Sequence, residues 1–360
     1  MLSVDEIILE VARLKHFPPE IKSQIKLLDA GLPPTKDAGI FGASIPEEYC
    51  SLVLIPVPWE LTTSYGKGTS LNPKKIISAS HQLDLFDRHW GAVYKKGICM
   101  LPENERILEL DKNLASDAAA VIRAVEEQLD IPTNSLEKVN QAGANVNTIV
   151  REISSKYLKQ GKKVGVVGGD HSSPFGLISA LASDREFGIL QIDAHLDLRP
   201  AYEGFHWSHA SIMSNVLEKI DNVSKIVSIG IRDYSEDEYR IASENPKVAV
   251  WFDDNLYIAK SQGKGWIDIV EKILRQLPSD VYISLDIDGL DPLNCPSTGT
   301  PVPGGFSFQE IIYLLDELKR SGKNIIGFDL CEVGVEESSE WDQNVAARLL
   351  YKLCGITLAD

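Results

Sequence analysis

Three short stretches of the sequence concentrate side chains able to hold metal ions. GGDHS (168–172) contributes His171, DAHLDLRP (193–200) contributes Asp193, His195 and Asp197, and DIDGLDP (286–292) contributes Asp286, Asp288 and Asp291. A fourth apolar run ends in Cys331 and Glu332. If the runs are strands, alternate residues share a face, so Asp193 would point with His195 and Asp286 with Asp288. Four converging carboxylates cannot all stay ionised in a buried site unless cations neutralise them. Carboxylates with two imidazoles suit Mn²⁺, Fe²⁺, Ni²⁺ or Co²⁺ better than structural zinc, which leans on thiolate. His171, Asp193, His195, Asp197, Asp286 and Asp288 offer too many donors for one small cation and enough for two sharing carboxylates. Such a pair can activate a water molecule for hydrolysis. Taken singly each motif has an ordinary reading: Asp-x-Asp caps turns, and Asp170 could cap a strand-to-helix turn. Three such motifs at three strand ends argue for ligation.

The elements that must position them are legible as alternating patterns. Apolar runs at 51–57, 163–168, 187–193, 225–231, 248–252, 281–288 and 324–330 read as strands buried on both faces. Between them, helical periodicity appears near 73–87, 113–129, 136–160, 174–183, 209–220, 265–276, 307–321 and 342–354. The expected fold is α/β, a three-layer α/β/α arrangement on a mainly parallel sheet. Chemistry in such sheets lies beyond the carboxyl ends of the strands, where the motifs stand. Residues 1–48 read as a helical extension: Ile7, Ile8, Val11 and Leu14 share a face, Pro18-Pro19 interrupts, and a second helix covers roughly 20–29. Residues 49–360 are expected to form the main domain, which carries the motifs.

Composition narrows the partners. The formal charge is −16, with 52 acidic against 36 basic residues, which disfavours nucleic acid and anionic membrane surfaces and favours a cationic ligand. Most of that acid is expected on the solvated surface. The five cysteines are scattered, with no Cys-x-x-Cys pair, as in a reduced cytoplasmic protein. The first residues, MLSVDEIILEVARLKHF, lack the basic start of a secretory signal, and no run approaches a membrane span.

GGDHS, DAHLDLRP and SLDIDGLDP, in this order and spacing, resemble the metal motifs of the ureohydrolase family, the arginases and agmatinases. The resemblance covers roughly residues 50–355 and extends to PVPWELTTSYGKGTSLNPKKIISAS (56–80) and SHASIM (208–213), which are similar to loops of agmatinase-like members. It implies that His171, Asp193, Asp197 and Asp286 hold one Mn²⁺ and that Asp193, His195, Asp286 and Asp288 hold the other, with Ni²⁺ an alternative metal. It further implies that His209 moves protons or steadies the substrate, that Glu332 pairs with a guanidinium group, that the sheet has about eight strands, and that the protein is a homo-oligomer, a trimer or hexamer. His209 has a plainer reading as a buried histidine, and His206 could replace it. Asp170 and Asp291 would orient loops or ligands, and Trp59, Glu60 and Tyr65 either line the pocket mouth or pack. His16, His81 and His89 lie apart from the motifs.

The expected reaction is hydrolysis of a guanidino C–N bond to urea and an amine, first of all agmatine to putrescine. Asp197 would take a proton from the nucleophile and His209 would serve the leaving amine. The segment between Asp197 and His209, LRPAYEGFHWS, lacks the Asn- and Ser-bearing stretch of arginases, which disfavours arginine. Guanidine, a guanidino acid and formiminoglutamate are alternatives, as is a non-catalytic metal-bound scaffold. One departure stands beside the site: where many family members continue Glu-Val-x-Pro, this chain reads Glu332-Val333-Gly334-Val335-Glu336-Glu337.

Overall fold

In the computed structural model, which describes residues 14, 17–29 and 31–359, the apolar runs form strands with almost no exposed position. The strands are β1 (Leu52–Val57), β2 (Ile98–Met100), β3 (Lys163–Gly168), β4 (Phe187–Ile192), β5 (Val223–Ile231), β6 (Val248–Phe252), β7 (Asp280–Asp286) and β8 (Asn324–Cys331). They make one parallel sheet in the order β2-β1-β3-β8-β7-β4-β5-β6. Every residue of β1 and β4 is buried, which a sheet achieves only when both faces are covered. Helices Thr133–Leu158, Phe175–Leu181 and Ile212–Lys219 pack together in one group, and helices Asn72–Ser80, Phe308–Arg320 and Trp341–Leu358 pack in another. The expected α/β three-layer architecture is the observed one. The four strands whose ends carry the motifs, β3, β8, β7 and β4, are consecutive in the sheet, so the topology gathers the motifs at one edge of its centre.

Several elements differ from the sequence expectation. β2 is only three residues long, too short for periodicity to reveal. Helices Glu236–Glu244 and Asp253–Ser261 were not expected, because the first buries only Glu238 and Ala242 and the second only Leu256, leaving no apolar stripe. The first starts instead on a capping box between Ser235 and Glu238. The helix expected to 87 stops at Ser80.

Helix Pro19–Asp29 places proline at its first turn, where its missing N–H costs nothing. Phe17, Ile21, Ile25, Ile40 and Phe41 of the leading segment are buried in the same apolar cluster as the strands, and the Phe41 ring meets Tyr351 edge-on at 5.0 Å. Ile7, Ile8, Val11 and His16 lie outside the described residues. Among the described residues, no helix is long and apolar enough to cross a membrane.

Candidate metal centre

The paired ligands do not share strand faces as the alternation rule suggested. β4 ends at Ile192 and β7 at Asp286, so His195 and Asp288 stand beyond the strands. Turns bring the pairs together. The backbone N–H of His195 donates to Asp193 Oδ1 at 2.7 Å, and that of Asp288 donates to Asp286 Oδ1 at 2.9 Å. The third motif repeats the device, with Ser172 N–H donating to Asp170 Oδ1 at 3.0 Å. The turn-forming and ligating readings of these aspartates are therefore compatible, because each carboxylate has two oxygens.

The second oxygens converge on His171. Its Nδ1 lies 2.9 Å from Asp197 Oδ2, 3.1 Å from Asp193 Oδ2 and 3.3 Å from Asp286 Oδ2. Yet this buried nitrogen makes no hydrogen bond; it points between the oxygens. His195 Nδ1 lies 3.0 Å from Asp288 Oδ2 and 3.7 Å from Asp193 Oδ1. Two groups of donors thus have metal-site spacing, His171–Asp193–Asp286 and Asp193–His195–Asp288, and Asp193 belongs to both. An unsatisfied nitrogen sharing a focus with carboxylate oxygens fits a divalent cation between them.

The electrostatics point the same way. Burial disfavours a charged His171, but Asp193, Asp197 and Asp286 outweigh it and hold the ring well above its ordinary pKa. His195 behaves alike, with Asp288 and Asp193 as the attracting groups. Burial, then Asp193, pushes Asp197 up to about 7; burial, then Asp288 and Asp193, holds Asp286 well above the carboxylate range. The protein's own charges leave the site short of positive charge, which divalent cations supply.

Glu332 stands just past β8 with φ +60°, and Asp197 with φ +54°. Side chains rarely occupy this left-handed region, at a cost of order 1–3 kcal/mol. At Glu332 the turn aims the carboxylate back at the His171 loop, whose N–H donates to Oε1 at 2.8 Å. Glu332 N–H donates to the Gly169 carbonyl at 2.8 Å, and Thr298 Oγ1 donates to the Glu332 carbonyl at 2.7 Å. Its other oxygen, Oε2, makes no side-chain hydrogen bond among the described residues, and burial, then Asp170, holds the carboxyl well above its ordinary pKa.

His171, His195, Asp197, Asp286, Asp288 and Glu332 line a cavity of about 160 Å³ together with His209, Arg199, Tyr202, Asp233, Glu238 and Thr300. His209 is half-buried, its ring edge-on to Tyr202 at 5.7 Å; burial and the charges of His195 and His171 push its pKa down to about 3, so it is a neutral base. His206 is exposed and does not line the cavity. Arg199 pairs with Glu238 at 3.2 Å, and Asp233, exposed at the rim, has its Oδ2 4.0 Å from His195 Nε2. A larger groove of about 540 Å³, lined by Ile267, Leu274, Tyr313 and Arg320, contains none of the motif residues.

The sequence reading did not name Arg199, Tyr202, Asp233, Glu238 or Thr300. Asp233 was accessible to it, because Asp233 follows β5 as the other site residues follow theirs. Trp59 is buried in the core, and Glu60 braces the 60–70 loop by accepting from Gly68 N–H at 2.7 Å, Thr69 Oγ1 at 3.1 Å and Ser70 N–H at 3.2 Å. Tyr65 is exposed and none of the three lines the cavity. Asp291 accepts Leu293 N–H in a turn, and His81 and His89 bond to Gly39 O and Asp316, away from the site.

Comparison with known proteins agrees with this geometry. A model described as the arginase family matches residues 50–355. The chain is 30% identical over 319 residues to an N(1)-aminopropylagmatine ureohydrolase of Thermus thermophilus, covering 88% of this chain and 94% of that protein. It is 27% identical over 321 residues to an agmatinase of Bacillus subtilis, covering 87% and 94%. The structure resembles that of agmatine ureohydrolase from Thermoplasma volcanium, with TM-score 0.65, 25% identity and coverage of 91% and 94%. The arginase of Medicago truncatula shares the fold, with TM-score 0.62 at 20% identity over 98% and 96%.

Proposed function

The chain belongs to the arginase family, and from that premise we propose that it hydrolyses a guanidino-amine, agmatine first of all, to urea and an amine. The family is binuclear and metal-dependent, and the observation that carries the reading here is the convergence of His171 Nδ1 with Asp193, Asp197 and Asp286 beside the His195–Asp288 pair. His171, Asp193, Asp197 and Asp286 would hold one cation, and Asp193, His195, Asp286 and Asp288 the other, Mn²⁺ or Ni²⁺. When bound, the cations supply Lewis acidity and a water acidified to near neutral pH.

The chain's own residues do the rest. Glu332 keeps Oε2 for the planar guanidinium, which it orients through N–H···O bonds while His171 N–H anchors Oε1. Asp197, on the cavity wall beside His171, accepts a proton from the attacking water. His209, neutral and on the cavity wall, relays to the leaving amine the proton that Asp197 took from the water. Asp233 at the rim attracts the ammonium end of the substrate, which supports an amine over a guanidino acid. The N(1)-aminopropylagmatine ureohydrolases among the relatives make the aminopropyl derivative of agmatine the second substrate to test. Five buried, unpaired cysteines support a cytoplasmic location, and the family resemblance supports a homo-oligomer.

The test is to load the protein separately with Mn²⁺ and Ni²⁺ and measure urea or ammonia from agmatine, N(1)-aminopropylagmatine, arginine, guanidine, guanidinobutyrate and formiminoglutamate. Highest kcat/KM on a guanidino-amine is expected. Two bound ions with no product from any of them would favour the scaffold reading and overturn this one.

A further inference from the structure

We propose that Ser284 and Asp329 are positioning residues that fix the tautomer and orientation of His171, holding its Nδ1 free for a cation. The inference rests on the two-cation reading of the site.

The sheet register places Asp329 of β8 beside Ser284 of β7, Ser284 beside Gln191 of β4, and Gln191 beside Ser228 of β5. Two residues further along, on the same face, come Cys331 and Asp286, themselves partners, and Asp193 just past β4. A polar row therefore runs across four central strands directly beneath the carboxylate row. All four of its members are buried. Apolar side chains would fill a sheet interior at lower desolvation cost, so such a row requires a use.

Each half of the row reaches one element of the site. Ser228 Oγ donates to Gln191 Oε1 at 2.6 Å, and Gln191 Nε2 donates to Asp193 Oδ2 at 2.9 Å and to the His195 carbonyl at 3.2 Å. On the other side, Ser284 Oγ lies 2.9 Å from His171 Nε2, with Asp329 Oδ1 3.7 Å from the same nitrogen. Asp329 takes the Cys331 thiol on Oδ1 at 3.6 Å, while its Oδ2 is buried with no hydrogen-bond partner. A carboxylate kept only for packing or strand pairing would have both oxygens satisfied. This one sits where the second ring nitrogen of a metal-ligating histidine finds its partner. With Nε2–H donating to Ser284 Oγ and the Asp329 carboxyl behind it, the lone pair of His171 is placed on Nδ1, the nitrogen aimed between Asp193, Asp197 and Asp286.

The test measures Mn²⁺ and Co²⁺ binding to the full chain by calorimetry and chelator competition for wild type, Ser284→Ala, Ser284→Thr and the isosteric Asp329→Asn, beside the melting temperature of each metal-free protein. Ser284→Ala and Asp329→Asn are expected to weaken one of the two ions about 10–100-fold while the other is retained, with the metal-free Tm unchanged or raised. Ser284→Thr, which keeps the hydroxyl, should restore binding. In the Co²⁺-loaded wild type the His171 Nε2–H should give a shifted proton resonance protected from exchange, and Ser284→Ala should lose that protection. Wild-type affinity for both ions in Ser284→Ala and Asp329→Asn would overturn the inference, as would loss of both ions together with a lowered metal-free Tm, which marks a merely structural role. Wild type that binds no divalent cation would instead overturn the two-cation reading itself.

Discussion

Asp193 and Asp286 divide their oxygens in the same way: Oδ1 of each accepts the backbone N–H two residues on, and Oδ2 of each faces His171 Nδ1, at 3.1 and 3.3 Å. One oxygen shapes the turn and the other serves the site. The two roles can be separated by substitution. Asp193→Asn keeps a turn-forming carbonyl oxygen and removes the charge shared by both donor groups, whereas Asp193→Ala removes both. The expected result is that Asp193→Asn, which loses the ionised partner of His171 and His195, melts below wild type without metal, that Asp193→Ala melts lower still, and that both lose at least about 100-fold in metal affinity. Metal content after dialysis, read beside the melting curves, decides it. Near-normal turnover with two ions in Asp193→Ala would contradict the proposed ligand set.

Glu332 is anchored to the His171 loop through Oε1, so charge and anchoring can be tested apart there too. Glu332→Gln keeps an oxygen for the His171 N–H and loses the anion facing the substrate. Both ions should remain, while kcat/KM for agmatine falls by two or more orders of magnitude, consistent with removing a charge-assisted contact to the guanidinium. Steady-state kinetics beside metal analysis distinguishes this from a collapsed site; unchanged kcat/KM would remove Glu332 from substrate orientation.

The pH dependence of stability follows from the crowding of carboxylates. Asp170 and Asp197 are pushed up to about 7, chiefly by burial, from an ordinary value of 3.8. Between those values the folded protein binds more protons than the unfolded chain, so stability falls as pH rises through that window. His171 and His195, held above 6.5 by their carboxylates, contribute stability that is full below 6.5 and is lost as pH rises through their raised values. Asp193 is shifted down, by His171 and His195 against the effect of burial, and its window lies below 3.8. Metal-free protein should therefore melt at a lower temperature at pH 8 than at pH 6. Cation binding displaces these protons, so the stabilisation on adding Mn²⁺ should be larger at pH 8. Thermal melts with and without metal at both pH values check this, and an unchanged metal-free Tm would contradict it.

The parallel sheet and the candidate site's place beyond its strands were legible because strong local patterns carry them: apolar runs of five or more residues, and side chains of metal-ligand type just past their ends. The geometry joining the ligands was not. Alternation suggested that Asp193 and His195 share a strand face, but β4 stops at Ile192, and the Asp193 side chain makes the turn that the strand was expected to supply. Gln191, Ser284 and Asp329 escaped notice because each looks like an isolated polar residue in an apolar run; only the register across β8, β7, β4 and β5 makes them a row. Glu238 was hidden in a helix whose cap, not an apolar stripe, defines it.

Gly334 fixes the course of the segment after Glu332. A β-carbon built there would lie 1.6 Å from the Ser297 carbonyl oxygen and 2.3 Å from its carbon, so the backbone of 333–335 rests directly on that of 297–298. The same contact holds Thr298, whose hydroxyl donates to the Glu332 carbonyl, and Gln343 Nε2 donates to the Gly334 carbonyl from below at 2.5 Å. Glycine is required here for close approach, and its φ is not in the left-handed region. Gly334→Ala must force the two loops apart, and the strain falls on Glu332 and the Thr300 side of the cavity. The expected cost is ~2–4 kcal/mol of stability, in the range of severe overpacking, with KM for agmatine raised more than kcat is lowered. The candidate ligands at and beyond the ends of β3, β4 and β7 are untouched, so both ions should still bind. Chemical denaturation, metal stoichiometry and the KM-to-kcat split measured on one preparation check all three parts; an alanine variant with wild-type KM would show that the 333–335 loop does not hold Glu332 in place.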